Sequence, residues 1–160
     1  MSILFSASEA VSMAVEIEKN GVNFYNTLAA ETDDEQSKEL FSFLAAEEVK
    51  HKIFFRKMLE NLPEVTLSPA EEEEYGNYLG ALAKSRIFTP DLDPMELLNE
   101  TKNNVAAIDL AIEFEKDSIL FFYELMEQAI EEDKKVIEEL IKEEKSHFSR
   151  LIVLKSRLTQ

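Results

Sequence analysis

Residues 47–51 read Glu-Glu-Val-Lys-His, and residues 143–147 read Glu-Glu-Lys-Ser-His. Each segment puts a Glu three positions before one of the only two histidines in the 160-residue chain. On an α-helix that spacing sets the two side chains about 60° apart around the axis and one turn apart along it, so both can reach one point. A second matched pair lies upstream: Ala14-Val15-Glu16-Ile17-Glu18-Lys19 and Ala111-Ile112-Glu113-Phe114-Glu115-Lys116. The offset is 97 for this pair and 96 for the Glu-His segments, so the chain reads as two copies of one helical hairpin.

Working outward, start signals frame four long helices. Ser6 with Glu9, Thr32 with Glu35, and Ser68 with Glu71 have capping-box spacing, and Asp93-Pro94-Met95-Glu96 orders a cap, a first-turn Pro and an acid. The periodicity predicts helices over 7–31, 34–61, 104–131 with a lead-in from 94, and 133–158. The first two meet at Thr32-Asp33 and the last two near Glu132-Asp133, so each pair forms an antiparallel hairpin. Between them a Pro- and Gly-bearing crossover over about 62–103 is too long for a hairpin turn, and one short helix is expected near 69–85. The expected fold is an all-α four-helix bundle forming a single domain over 1–160.

Composition agrees. Gly 3 and Pro 4 are low counts, which favours long helices. A net charge of −16 sets the field against phosphate, so nucleic acid is not an expected partner. With Cys 0, disulfides, thiolate nucleophiles and sulfur-ligated metals are excluded, and any metal is held by nitrogen and oxygen. Apolar stretches are short and Met1 to Leu4 lack a basic leader, so no membrane span is expected and the expected compartment is the cytoplasm.

Each helix carries a stripe of residues spaced alternately three and four apart. These are Val11, Val15, Glu18, Val22, Tyr25 and Ala29; Phe41, Leu44, Glu48, His51, Phe55, Met58 and Leu62; Ile108, Ile112, Glu115, Ile119, Phe122, Met126 and Ala129; and Ile137, Leu140, Glu144, His147, Leu151, Leu154 and Leu158. Every stripe is apolar except near its middle. There Glu18, Glu48, His51, Glu115, Glu144 and His147 come to one depth in the bundle. Four carboxylates buried together repel, and an unpaired buried charge costs several kcal/mol. No Lys or Arg lies in the central part of any stripe, whereas two divalent ions would balance the four Glu, with neutral imidazoles completing the donors.

This inventory, one Glu from each of two helices and a GluXxxXxxHis from each of the other two, is that of ferritin-like di-iron and di-manganese carboxylate proteins. Within that class the chain resembles the rubrerythrin family over residues 7 to 158. The resemblance implies that Glu18, Glu48, His51, Glu115, Glu144 and His147 are metal ligands. It also implies that Tyr25 and Tyr123 stand beside the metals with a catalytic role. Two iron ions are the implied cofactor, though manganese or zinc can occupy such donors. The implied activity is a di-iron oxidoreductase of rubrerythrin type, a peroxidase reducing hydrogen peroxide or dioxygen, acting as a homodimer.

Two departures stand out. Rubrerythrin proper carries a rubredoxin domain with four Cys, and this chain has none, so an external electron-transfer protein is the expected donor. Where rubrerythrin proper has a further Glu one turn after the third-helix ligand, this chain has Ser118, with Gly21 at the matching place on the first helix. Ligand exchange at that place is therefore not expected. Gly21 and Ser118 imply either an access pocket for a small oxidant or close helix packing.

Two acids, Glu47 and Glu143, are candidates to accept the outer N–H of a ligand His, against a plain solvated role. Glu71 to Glu74 read as a solvated face, and Phe54 and Phe121 as core or a dimer surface. Two rival readings share the bundle: a ferroxidase or iron-handling protein, and a non-enzymatic helical interaction module whose polar residues only fix register.

Overall fold

The first hairpin turns on Asp34. With φ −83° and ψ 116°, Asp34 is extended, and its carboxylate accepts from the Ser37 N–H at 2.9 Å and from Ser37 Oγ at 2.6 Å. It also receives Arg157 Nη2 at 2.5 Å, which ties this turn to the end of the chain. The cap is thus Asp34 and not Thr32, whose hydroxyl instead accepts from the Asp34 N–H at 3.3 Å. Asp34 follows α1 (Ala7–Glu31) by three residues and opens α2 (Glu35–Glu60).

In the computed structural model the described residues are 7–62, 68–70, 73–74, 93–101 and 104–160. The crossover helix expected near 69–85 lies largely outside them; residues 69–70 and 73–74 are helical. Ser6 and Glu71, and with them two of the expected capping boxes, also lie outside. Asp93 caps as expected, accepting from the Met95 N–H at 2.9 Å, and a short α3 (Pro94–Thr101) follows.

The second hairpin joins α4 (Asn104–Gln128) to α5 (Glu131–Leu158) through Ala129 and Ile130, two or three residues earlier than the spacing implied. Ile130 makes no side-chain cap. Helix α5 instead begins with Glu131, Glu132 and Asp133 and ends with Lys155 and Arg157, charges that oppose its dipole at both ends. No described helix is long and apolar enough to cross a membrane.

Packing splits the core in two. One cluster joins the end of α1 and the start of α2 to the start of α4 and the end of α5, with Phe24, Leu28, Phe41, Leu44, Ile108 and Leu151 among its members. The other joins the opposite ends, with Val11, Phe55, Met58, Phe122, Leu125 and Ile137. The start of α1 therefore meets the end of α4, and the start of α2 meets the end of α5. Exchanging α1 with α4 and α2 with α5 maps one half onto the other, the pseudo-twofold that the sequence repeat predicts.

Helices α1 and α4 bury a wider face than a single stripe. Ala14, Phe24 and Leu28 on α1, and Ala107, Phe114 and Leu125 on α4, join the core because each of these helices packs against its hairpin mate and against the other. Phe121 is 4% exposed and belongs to this core; Phe54 is partly buried against Phe55, ring centroids 5.3 Å apart. Neither forms a free apolar face.

Candidate metal centre

Between the two apolar clusters lies one polar layer. Glu18, Glu48, His51, Glu115, Glu144 and His147 are each at most 2% exposed. Their donor atoms fall into two groups. Glu18, Glu48, His51 and Glu144 form one, Glu48, Glu115, Glu144 and His147 the other, and within each group the atoms lie within 4.8 Å of one another. Glu48 and Glu144 belong to both.

Both imidazoles present Nδ1 to this layer. His51 Nδ1 stands 2.6 Å from Glu144 Oε1, 3.4 Å from Glu48 Oε2 and 3.8 Å from Glu18 Oε2. His147 Nδ1 stands 3.4 Å from Glu144 Oε2, 3.8 Å from Glu115 Oε2 and 3.9 Å from Glu48 Oε1. The two rings stack, with centroids 5.8 Å apart and planes 15° from parallel.

Most of these atoms have no protein hydrogen bond. Both oxygens of Glu18, Glu48 and Glu144, Oε2 of Glu115, and Nδ1 of both histidines are buried without one. Native interiors leave few such atoms, because each costs about 1–3 kcal/mol. Acceptors crowd here with scarcely a donor among them, and that chemistry fits two cations, with Glu48 and Glu144 placed to span them.

Protonation in the metal-free chain tells the same story. Burial, then the charges of Glu48, Glu144 and Glu115, pushes the Glu18 carboxyl well above the usual carboxylate range. Burial, then Glu144 and Glu48, does the same to Glu115, against the opposing bond from Tyr25. Burial alone would depress His51, but the carboxylates of Glu144 and Glu48 facing its Nδ1 push it up to about 11. Glu144 moves the other way: burial would raise it, yet the close approach of Glu115, His147 and His51 holds it below the carboxylate range. Protons occupy the place that metal charge would take.

The residues around this layer are not symmetric. Tyr25, fully buried, donates its hydroxyl to Glu115 Oε1. Burial, then Glu115 and Glu48, pushes that phenol well above its ordinary value, which keeps it a donor. Tyr123 does not join it. It is 40% exposed, and its oxygen accepts from Lys145 Nζ at 2.6 Å on the outer surface. One residue is 100° of helix, and the offset of 97 maps Tyr25 onto Phe122, which is fully buried. The tyrosine beside Glu115 thus has a phenylalanine as its counterpart.

Gly21 reflects close packing, not a pocket. A Cβ there would lie 2.8 Å from Phe114 Cζ and 3.3 Å from Glu48 Cγ.

Outside the layer, His51 Nε2 donates to Glu143 Oε2 at 2.7 Å. Glu47, its counterpart, is bound by Lys50 Nζ at 2.5 Å. The sequence explains the difference, since Lys50 sits three residues after Glu47 while Ser146 sits three after Glu143 and has no charge to offer. In a neutral His51 ring the Glu143 contact would keep the proton on Nε2 and leave Nδ1 free to bind a metal. Replacing Glu143 with Ala is expected to weaken metal binding by about 10- to 100-fold, read by competition with a chelator, with the helix content unchanged. An unchanged affinity would make Glu143 a bystander.

The comparisons come to the same architecture. A solved structure from Thermotoga maritima, described as a ferritin-like diiron-carboxylate protein, is 25% identical, with a TM-score of 0.72 over 95% of each chain. A hypothetical protein from Pyrococcus furiosus is 24% identical, with a TM-score of 0.69 over 97% of this chain and 91% of its own, and shows the shared fold. No curated protein matches. The family model described as Rubrerythrin matches residues 9–155, a span that takes in both hairpins and all six residues of the polar layer, and the chain belongs to the rubrerythrin family.

Proposed function

We propose that the protein is a di-iron oxidoreductase that reduces hydrogen peroxide or dioxygen with electrons from a separate electron-transfer protein. The observation that carries this is the pair of overlapping donor groups sharing Glu48 and Glu144 inside an apolar bundle. Oxygen-rich donors with two imidazoles suit iron or manganese better than copper, and iron is the reading taken here. When bound, two such ions supply one electron each to a two-electron reduction.

The chain's own residues supply the rest. Glu18, Glu48, His51 and Glu144 would hold one ion, and Glu48, Glu115, Glu144 and His147 the other. Glu143 orients the His51 ring. Tyr25 holds one oxygen of Glu115 and keeps a proton beside it. Phe55, Phe122, Leu44 and Leu151, all fully buried, close the layer from both ends and exclude bulk water. Reducing one peroxide to two waters consumes two protons and two electrons, so both must be delivered from outside this dry layer.

The test is elemental analysis of protein purified without oxygen, followed by peroxide turnover with a reducing system. Two irons per chain and catalytic loss of peroxide are expected. A metal-free protein that Mn(II) does not stabilise, or a many-subunit cage that fills with iron and leaves peroxide untouched, would overturn the reading.

A further inference from the structure

Ser118 is 2% exposed, and among the described residues its Oγ is the one buried side-chain polar atom outside the six layer residues that has no hydrogen-bond partner. A helical hydroxyl ordinarily satisfies itself on the carbonyl four residues back. Thr27 does so on Asn23 at 2.8 Å and Ser149 on Lys145 at 3.0 Å. Ser118 does not.

Its position explains what such a hydroxyl could meet. Ser118 lies three residues after Glu115 on the same face of α4, and helical side chains lean toward the N-terminus, over the turn that carries Glu115. The pseudo-twofold maps Gly21 onto Ser118 and Glu48 onto Glu144. Position 21 abuts Glu48 Cγ, so position 118 falls beside Glu144. At position 21 the Phe114 ring takes up the room a side chain would need. The counterpart of Phe114 is Ile17, a smaller side chain, and there a hydroxymethyl group is accommodated. One side of the layer therefore carries a free donor and the other cannot.

We propose that the Ser118 hydroxyl is the hydrogen-bond donor for a small oxygen or nitrogen ligand held at the metal pair, on the side of Glu115, Glu144 and His147. The ligand class is peroxide or a small anion of similar size, and the assignment rests on the di-metal reading above. Acceptors dominate that layer, so an incoming electron-rich ligand finds few partners there, and an uncommitted O–H gives it one. It also fixes which metal the ligand approaches.

Azide is the probe. In the Fe(III) protein, Ser118→Ala is expected to bind azide about 10-fold more weakly than the parent, the loss of a hydrogen bond to a charged group. The azide stretching band of the parent is expected to shift in D2O and that of Ser118→Ala to stay put, with Ser118→Thr restoring both affinity and shift. Without metal, Ser118→Ala is expected to melt about 2–4 °C above the parent, because a hydroxyl with no protein partner is removed. Two irons per chain with unchanged azide affinity would overturn this proposal alone. A Ser118→Ala variant that loses iron, or that melts lower without metal, would make the residue structural and overturn it too. A parent chain that binds no metal would fail earlier, taking the di-metal reading with it.

Discussion

Replacing Glu48 and Glu144 together with alanine is expected to take the protein from two bound metal ions per chain to none. Each donor group contains four residues and both contain these two, so each ion would keep only one carboxylate and one imidazole. The fold is expected to survive. Both positions lie inside long helices, where alanine is the best former, and the carboxylate oxygens removed make no protein hydrogen bond. A cavity penalty remains, about 24 cal/mol per Å3 of unfilled space, set against the loss of repulsion among four acids. His51 loses Glu144 and Glu48, which raise it against burial, and keeps Glu143 at 2.7 Å on Nε2, so no unpaired cation is left behind. Elemental analysis with circular dichroism checks this. A well-folded double variant that still carries two metals would refute the assignment of these residues as bridges.

The second large effect is on stability as a function of pH, and its sign follows from the metal-free layer. His51 holds its proton up to about 11 in the folded chain, opposing burial through Glu144 and Glu48, against about 6.5 for an unperturbed His. The folded state therefore binds that proton more tightly than the unfolded state. The stability it contributes is complete below about 6.5 and is lost as pH rises toward the folded value. Glu18 and Glu115, raised by burial and by neighbouring carboxylates, act in the same direction, their loss beginning in the carboxylate range. Glu144 is held low and contributes the opposite slope, but only in acid. Metal-free protein is thus expected to melt progressively lower from pH 6.5 to 9.

Metal reverses the trend, because it takes the place of the protons and its binding releases them. Mn(II), which does not oxidise during the scan, is expected to raise the melting temperature more at pH 8.5 than at pH 6. At free metal 100 times the dissociation constant, each site adds about 2.7 kcal/mol, or roughly 5–10 °C in a chain of this size. Thermal scans with chelator or Mn(II) at each pH measure both slopes. A flat metal-free curve, or a metal-induced gain that shrinks as pH rises, would contradict the electrostatics of the layer.

Much of this was legible in the sequence because the signals were coarse and repeated. The six layer residues stand out as polar interruptions at the same depth in four apolar stripes, and the repeat pairs them. What escaped depends on neighbours and on single residues. A stripe counts one partner, so it leaves out Ala14, Phe24 and Leu28 of α1, which are buried because α1 packs against both α2 and α4. Tyr123 is one residue from the position the repeat assigns, which was enough to carry it to the surface. Asp34 outcompeted Thr32 as a cap through a contact with Ser37 that only the turn geometry creates. Ile130 opens α5 with no capping side chain for a sequence to advertise. That Glu143 is left to reach His51 while Glu47 is taken by Lys50 could have been read, since the counterpart of Lys50, Ser146, lacks its charge.

Each donor group mixes residues from both hairpins: Glu144 crosses to join Glu18, Glu48 and His51, and Glu48 crosses to join Glu115, Glu144 and His147. Loading the centre would therefore rivet two halves that otherwise meet mainly through oily contacts above and below it, with the Arg157–Asp34 pair at one end. In a chain with no cysteine, such inorganic cross-links would take over the fastening that sulfur supplies elsewhere, and the integrity of the molecule would become a readout of its metal supply.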